Sequence, residues 1–476
     1  MTSQLLVSAL VLGIGVHVIL IVVAYLVFLE RKISSYIQDR IGPNRVGFDF
    51  GLPFLSFLST KGPLKGVLGL GQPLADGIKF LVKEDYAPTK ADKALFTLAP
   101  MLIIGPALIG FVIIPWGGYW DMPYIGDIPL LGGLIESLAG PLGDERVLIA
   151  GANVNVGIVY LLAVASLGVY GVTLGGWASN SKYSFLGGLR ATAQMISYEI
   201  PLGLSLIAVL LLTGTVLPQA IVEYQVTNGW LVIAQPVACV LFFIAILAEA
   251  NRAPFDNAEA EQELVGGYHT EYSSMRFALF FLAEYAHMVT SSAFWVLLFF
   301  GGYHFDLSGI PLIGEPLFGW LGNLTDPATT GIFAVLTKCL IFLGKVVFII
   351  CFQMVIRWTL PRLRYDQIMM LGWQTLIPLS LTVVVLTSVG VYFGLAPHAN
   401  DMGVLRFVPM LAMNVVVIVG FVAFQTVFPS STKNRRIRMY GSRFFAPDDA
   451  MVETTPSNPM ALEDRPHQGT EQVVAG

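Results

Sequence analysis

Residues 248–288 read AEANRAPFDNAEAEQELVGGYHTEYSSMRFALFFLAEYAHM. Within them Glu249, Asp256, Glu259, Glu261, Glu263, Glu271 and Glu284 stand between two stretches apolar enough to cross a bilayer. Acidic side chains are costly beside hydrocarbon, so a cluster of them there usually lines a wet cavity or a proton path. Asp256, Glu259 and Glu263 follow an i, i+3, i+7 spacing that stacks three carboxylates on one helical face. Carboxylates so placed repel, which favours retention of a proton by some of them near neutral pH. At this point a solvated acidic loop fits the same charges equally well.

Outward from this stretch, composition decides the class. Of 476 residues, 55% are hydrophobic and only 12% charged, with a mean hydropathy of +0.71; a soluble globular domain is excluded. Runs of about twenty nearly uncharged residues match a hydrocarbon core of roughly 30 Å. The expected fold is an all-α, polytopic integral membrane protein with about nine transmembrane helices. They fall near 5–29, 95–116, 154–177, 198–217, 230–248, 277–301, 332–356, 373–393 and 404–428. The first run lacks a basic leader and a small-residue cleavage site, so a retained span is expected. LPFLSFLS and LADGIKFLV, in the connection after it, are too short to cross and suit amphipathic helices at the interface. The polar tail from 429 onward is expected to be flexible.

Lys and Arg fall on alternate connections. Those after the first, third, fifth and seventh spans, plus the tail, hold Arg31 through Lys93, Lys182, Arg190, Arg252, Arg276, Arg357, Arg362, Arg364 and Lys433 through Arg465. The opposite connections hold Arg146 and Arg406. The positive-inside rule then places the N-terminus outside and the C-terminus in the cytoplasm. The acidic stretch therefore lies on the side that favours Lys and Arg, and such departures tend to be functional.

Other polar positions need a reason to be in membrane. Glu199, in SYEIP, is expected at the cytoplasmic start of the fourth span, with Pro201 in its first turn. Glu284 lies deeper, near His287. Lys338 and Lys345 share one face of the seventh span and need acids or water. His17 reads as a packed residue, and Cys239, Cys339 and Cys351, without CxxC spacing, as core fillers. No P-loop, dinucleotide fingerprint, HExxH or nucleophile elbow is present. No catalytic residue, metal site or nucleic-acid partner is therefore expected on this chain, and redox chemistry is left to a partner or a diffusible membrane cofactor.

Four stretches carry a family resemblance: ERKISSYIQDRIGPNRVG (30–47) with QPLADGIKFLVKE (72–84), GWASNSKYSFLGGLRATAQMISYEIP (176–201), the acidic stretch itself, and RWTLPRLRYDQIM (357–369). They resemble the H subunit (mitochondrial subunit 1) of complex I, the proton-pumping NADH:quinone oxidoreductase, over residues 1–395. The resemblance implies an eight-helix membrane domain in the bacterial cytoplasmic membrane that couples quinone reduction to proton translocation. Its implied partners are the peripheral quinone-site and iron–sulfur subunits, the small and antiporter-like membrane subunits, and lipid. Quinone is implied as substrate at the interface, with flavin and iron–sulfur clusters held by partner subunits.

By the same resemblance, Glu30, Arg31, Gln38, Arg40, Asp76 and Lys79 belong to a quinone chamber. Glu199, Glu249, Asp256, Glu259, Glu261, Glu263, Glu271, Glu284 and Lys345 belong to a proton or coupling path. Arg190, Arg362, Arg364 and Asp366 belong to docking and chamber loops. Lys338 has no counterpart. The insertion at 48–71, an additional helix within 396–428 and the tail 429–476 depart from the family pattern. A membrane-bound hydrogenase subunit shares parts of these motifs, although QDRIGPNRVG favours complex I. A secondary ion transporter would show inverted repeats or paired broken helices, and no such symmetry is visible.

Overall fold

The computed structural model describes residues 3–44, 46, 69–124, 145–256, 266–306, 314–397 and 407–427. The expected helix of Asp256, Glu259 and Glu263, together with Glu261, the LPFLSFLS stretch and the tail, lies outside the described residues, Asp256 excepted. The chain divides into two units, 1–418 and 419–476.

Helices dominate as expected: α1 (Ser3–Ile37), α2 (Gln72–Val82), α3 (Lys93–Ile109, prolonged by a 3-10 turn Gly110–Ile113), α4 (Gly157–Ala178) and α5 (Lys182–Thr213). Then follow α6 (Pro218–Asn228), α7 (Leu231–Ala234), α8 (Pro236–Glu249), a 3-10 turn Gly267–His269, α9 (Ser274–Phe299), α10 (Gly314–Thr325) and α11 (Ile332–Thr359). The last are α12 (Tyr365–Met370), which runs through a π-helical segment Leu371–Leu376 into α13 (Ile377–Tyr392), and α14 (Val408–Val427). Seven of these are long and apolar enough to cross a membrane; Pro236–Glu249 and the last helix are shorter apolar helices. Among the described residues, one antiparallel pair, β1 (Tyr119–Met122) with β2 (Glu145–Leu148), closes the connection after α3 in the register Tyr119 to Leu148.

Two expectations about span boundaries change. The fifth span is not continuous: Gln235 is non-helical and Pro236 starts α8, whose 14 residues reach only about 21 Å at the usual helical rise. A proline has no N–H to continue the ladder from α7, which is why the break falls there. Glu199 and Pro201 do not stand in the first turn of their helix, because α5 begins at Lys182 and carries Pro201 in its interior. Tertiary packing sustains the helix through the polar segment 182–198, where Gln194 and Tyr198 are buried.

Close helix packing relies on small residues. A Cβ on Gly171 of α4 would lie 2.9 Å from the carbonyl oxygen of Ala99 on α3. The core gathers α1, α3, α4, α5, α8, α9, α11 and α13 around Tyr198, Phe242, Phe299 and Phe342.

Contacts between connections separate into two sets. On one side, Tyr86 N donates to Ser273 Oγ, Asn180 Nδ2 to Lys90 O, and Leu363 N to Pro254 O. On the other, Asp121 N donates to Thr330 O, Ile158 N to Val216 O, and Gln4 Nε2 to Leu148 O. Every pair joins connections, or helix ends beside them, of the same parity, the alternation that successive crossings require.

Candidate functional site

A cavity of about 1090 Å³ opens between α1, α2, α9 and the turn 266–272. Its wall is mainly apolar (Ile21, Phe28, Leu74, Phe277), with Arg31, Asp76, His269 and Thr270 as polar points. That is the make-up of a site for a long apolar ligand held by few directed contacts. Arg31 Nη1 bonds Asp76 Oδ2 at 2.7 Å, and Gln72 Nε2 donates to the other carboxylate oxygen at 3.0 Å. Burial pushes the His269 imidazole down to about 4, so the chamber wall presents a neutral ring at pH 7. Lys79 is exposed on α2, and Gln38 and Arg40 are exposed in the turn after α1; none of the three is part of this wall.

Glu30, the neighbour of Arg31, turns to the interior and is 5% exposed. It accepts from Arg252 Nη1 at 3.1 Å, from Arg357 Nη1 and from the Tyr285 hydroxyl. Arg252 also lies 2.5 Å, through Nε, from Glu284 and stacks 4.2 Å from the Tyr285 ring. Two carboxylates and two guanidiniums thus balance inside the protein, where an unpaired charge would be very unfavourable. Burial works against the charge of Arg252, but Glu284, Tyr285 and Glu30 outweigh it and hold its pKa above the usual arginine range. One turn further on, Arg362 pairs with Asp256 at 3.2 Å.

Gln194 on α5 sets the path of the chain that carries Arg252. Its Nε2 faces Ala248 O at 2.9 Å, Asn251 Oδ1 at 3.1 Å and Phe255 O at 2.9 Å. Asn251 holds the left-handed conformation (φ 49°) that turns the chain out of α8. Tyr198, four residues after Gln194, donates to Ile368 O at 2.9 Å and brings α12 to the same cluster.

The remaining acids stand deeper in the bundle. Glu199 accepts from Ser166 of α4. Glu249 is buried at the end of α8, with His287 Nε2 at 3.8 Å. Small cavities of about 50 and 30 Å³ adjoin both residues; Glu284 lines the first, and Thr290 and Ser291 line the second. Glu271 is half-buried in the turn before α9, outside the chamber lining.

Lys345 is set apart from these acids. Its Nζ donates to the carbonyls of Phe300 (2.7 Å), Gly302 (3.0 Å) and His304 (2.6 Å), past the far end of α9. Sixteen residues separate Phe300 from Glu284, about 24 Å of helix. Lys338 is buried and donates to Thr329 O at 2.6 Å. Arg190, exposed, lies 5.8 Å from the Tyr365 ring, and Arg364 and Asp366 are exposed at the start of α12. Among the described residues no group of three His, Cys, Asp or Glu could hold a metal ion.

Sequence reasoning named most of the acids and missed the groups that organise them. Arg252 and Arg357 read as orientation charges, whereas Arg252 is a buried and Arg357 a half-buried partner of Glu30. Arg252 lies three residues after Glu249 and four before Asp256, a spacing that could have marked it as their counter-ion. Tyr285, Gln194 and His287 carry no comparable signal.

The fold and site define a polytopic helical membrane protein in which an apolar chamber abuts a buried ion cluster. The family model described as NADH dehydrogenase matches residues 10–388. The chain is 41% identical over 369 residues to the NADH-quinone oxidoreductase H subunit 1 of Cytophaga hutchinsonii, covering 78% of this chain and 92% of that one. Identity to the H subunit 1 of Geobacter sulfurreducens is 43% over 374 residues (78% and 91% covered), and to the H subunit of Flavobacterium johnsoniae 38% over 381 (80% and 94%). The chain belongs to the H-subunit family of NADH-quinone oxidoreductases.

Proposed function

We propose that this chain is the membrane-arm subunit of a bacterial NADH:quinone oxidoreductase that forms the quinone access chamber and passes the electrostatic consequence of quinone reduction into the membrane. One observation carries the reading: the adjacent residues Glu30 and Arg31 of α1 face opposite environments. Arg31 forms the polar point of the apolar chamber with Asp76, while Glu30 is the shared acceptor of Arg252, Arg357 and Tyr285. A charge change in the chamber therefore acts across one helix on the cluster that holds Glu284, beside Glu249. Groups this close titrate as a set, so a proton lost or gained at one alters the next.

In this reading the chain supplies no redox centre. The nicotinamide, flavin and iron–sulfur chemistry belongs to peripheral subunits, which dock on the side carrying α2, Arg190, Arg364 and Asp366. That side is the cytoplasmic one, by its surplus of Lys and Arg. Glu199, Glu249, Asp256 and Glu284, with Glu259, Glu261, Glu263 and Glu271, form the acidic path toward the antiporter-like subunits. Lys345 stands outside it, as a clip on the carbonyls beyond α9.

The test is made on the assembled complex. Arg31→Ala is expected to raise the apparent KM for quinone, and Glu199→Gln, Glu259→Gln and Glu263→Gln to depress quinone-linked proton pumping, with NADH:ferricyanide activity unchanged throughout. Normal pumping in all three glutamine variants would overturn the assignment.

A further inference from the structure

His287 is a half-buried titratable residue, its Nε2 buried, that the acidic path does not use. It lies on α9 three residues after Glu284, one turn deeper into the bundle. Its Nε2 has no hydrogen-bond partner among the described residues. Glu249 Oε1 lies 3.8 Å from it, too long for a direct bond and short enough for a shared water.

Two small cavities meet at this ring. The first, about 50 Å³, is bounded by Glu249, Asn251, Glu284 and His287; the second, about 30 Å³, by Glu249, His287, Thr290 and Ser291. Each exceeds the roughly 10–15 Å³ that a water molecule needs, and each offers the two to four polar partners that keep one in place. A buried nitrogen without a partner, beside a polar cavity of this size, is where a bound water is expected.

We propose that His287 is a proton-carrying residue of this chain, joined to Glu249 through water and standing between the Glu284 cavity and the Thr290–Ser291 cavity. The step is a proton exchange. The Glu249 carboxyl gives its proton through water to Nε2, leaving a carboxylate and an imidazolium, and the reverse transfer restores both. The groups that bear on it are Glu249 from α8, Glu284, Thr290 and Ser291 from α9, and Glu199 of α5, which is within electrostatic reach of Glu249. Imidazole suits this place because one ring nitrogen can take up a proton while the other gives one up. The inference rests on the coupling role proposed above.

The experiment compares His287→Gln, His287→Phe and Glu249→Gln in the assembled complex in proteoliposomes, recording protons pumped per NADH oxidised against pH. His287→Gln keeps a polar side chain able to hold water but cannot titrate, and His287→Phe replaces the polar ring with an apolar one. Both are expected to lower pumping per NADH and to remove one titration step from its pH profile, with NADH:ferricyanide activity unchanged. A wild-type profile for His287→Gln overturns the inference, even if His287→Phe fails to assemble. Depressed pumping in Glu249→Gln beside a wild-type His287→Gln overturns the inference alone, whereas normal pumping in Glu249→Gln overturns the coupling reading with it, which separates the two failures.

Discussion

At the scale of single residues, the decisive feature is a charge cluster whose members come from four distant points of the chain: Glu30, Arg252, Glu284 with Tyr285, and Arg357. Removing one partner of a buried ion pair leaves its counter-charge unsolvated, at a cost of about 3–5 kcal/mol. Arg252→Leu is expected to destabilise the protein by about that amount, seen as a lower thermal midpoint of the purified complex. Adding Glu284→Leu should return part of the loss, a coupling that a double-mutant cycle measures. His269 gives a pH prediction. The unfolded chain protonates this residue below about 6.5, whereas the folded protein resists until about 4. The unfolded state therefore binds more protons in that window, and the stability contribution, full above about 6.5, is lost as pH falls toward 4. His269→Phe should flatten the dependence of the thermal midpoint on pH between those values. Of these residues the sequence marked Glu284 as an acid in a costly place, and the family resemblance brought in Glu30. It could not show that Arg252 and Arg357 are their partners, because pairing across 222 or 327 residues has no local signature.

At the scale of elements, hydropathy located the apolar segments and misjudged two of their boundaries. The break before Pro236 follows from the missing proline N–H, and both residues before it are tied to neighbouring helices. Gln235 Nε2 donates to Thr387 Oγ1 at 2.9 Å, and Asn414 Nδ2 to Ala234 O at 3.1 Å. The second bond gives α14, which lies beyond the family match, a specific tie to the broken span. Asn414→Leu would leave the Ala234 carbonyl unpaired inside the protein, costing about 1–3 kcal/mol. The expected result is a lower thermal midpoint with unchanged NADH:quinone turnover. Helix α5 shows the opposite case: its polar first half reads as a connection, yet Gln194 and Tyr198 bind segments 248–255 and 368 and keep it helical. Local polarity marks where a helix leaves the hydrocarbon, not where it ends.

At the scale of the whole molecule, same-parity connections touch each other and place α2, residues 248–256 and 266–273, and α12 on one side, with the β1–β2 pair, α6 and the 300–306 turn on the other. The basic connections lie on the first of these sides. With the N-terminus outside, Thr227→Cys should react with a membrane-impermeant maleimide in spheroplasts, and Lys83→Cys should not; the reverse pattern would overturn the orientation. The sequence by itself determined the membrane class, the places of the apolar segments, their expected orientation and the acids that do not belong in hydrocarbon. Each follows from local composition, since transfer from water to lipid acts on every window of about twenty residues separately. Only the tertiary structure decided which charges neutralise one another, that Glu30 and Arg31 look in opposite directions, that Lys345 serves the end of α9, and that His287 meets Glu249. Those facts depend on through-space distances of a few ångströms between residues far apart in the chain, where pairing and desolvation set the energy.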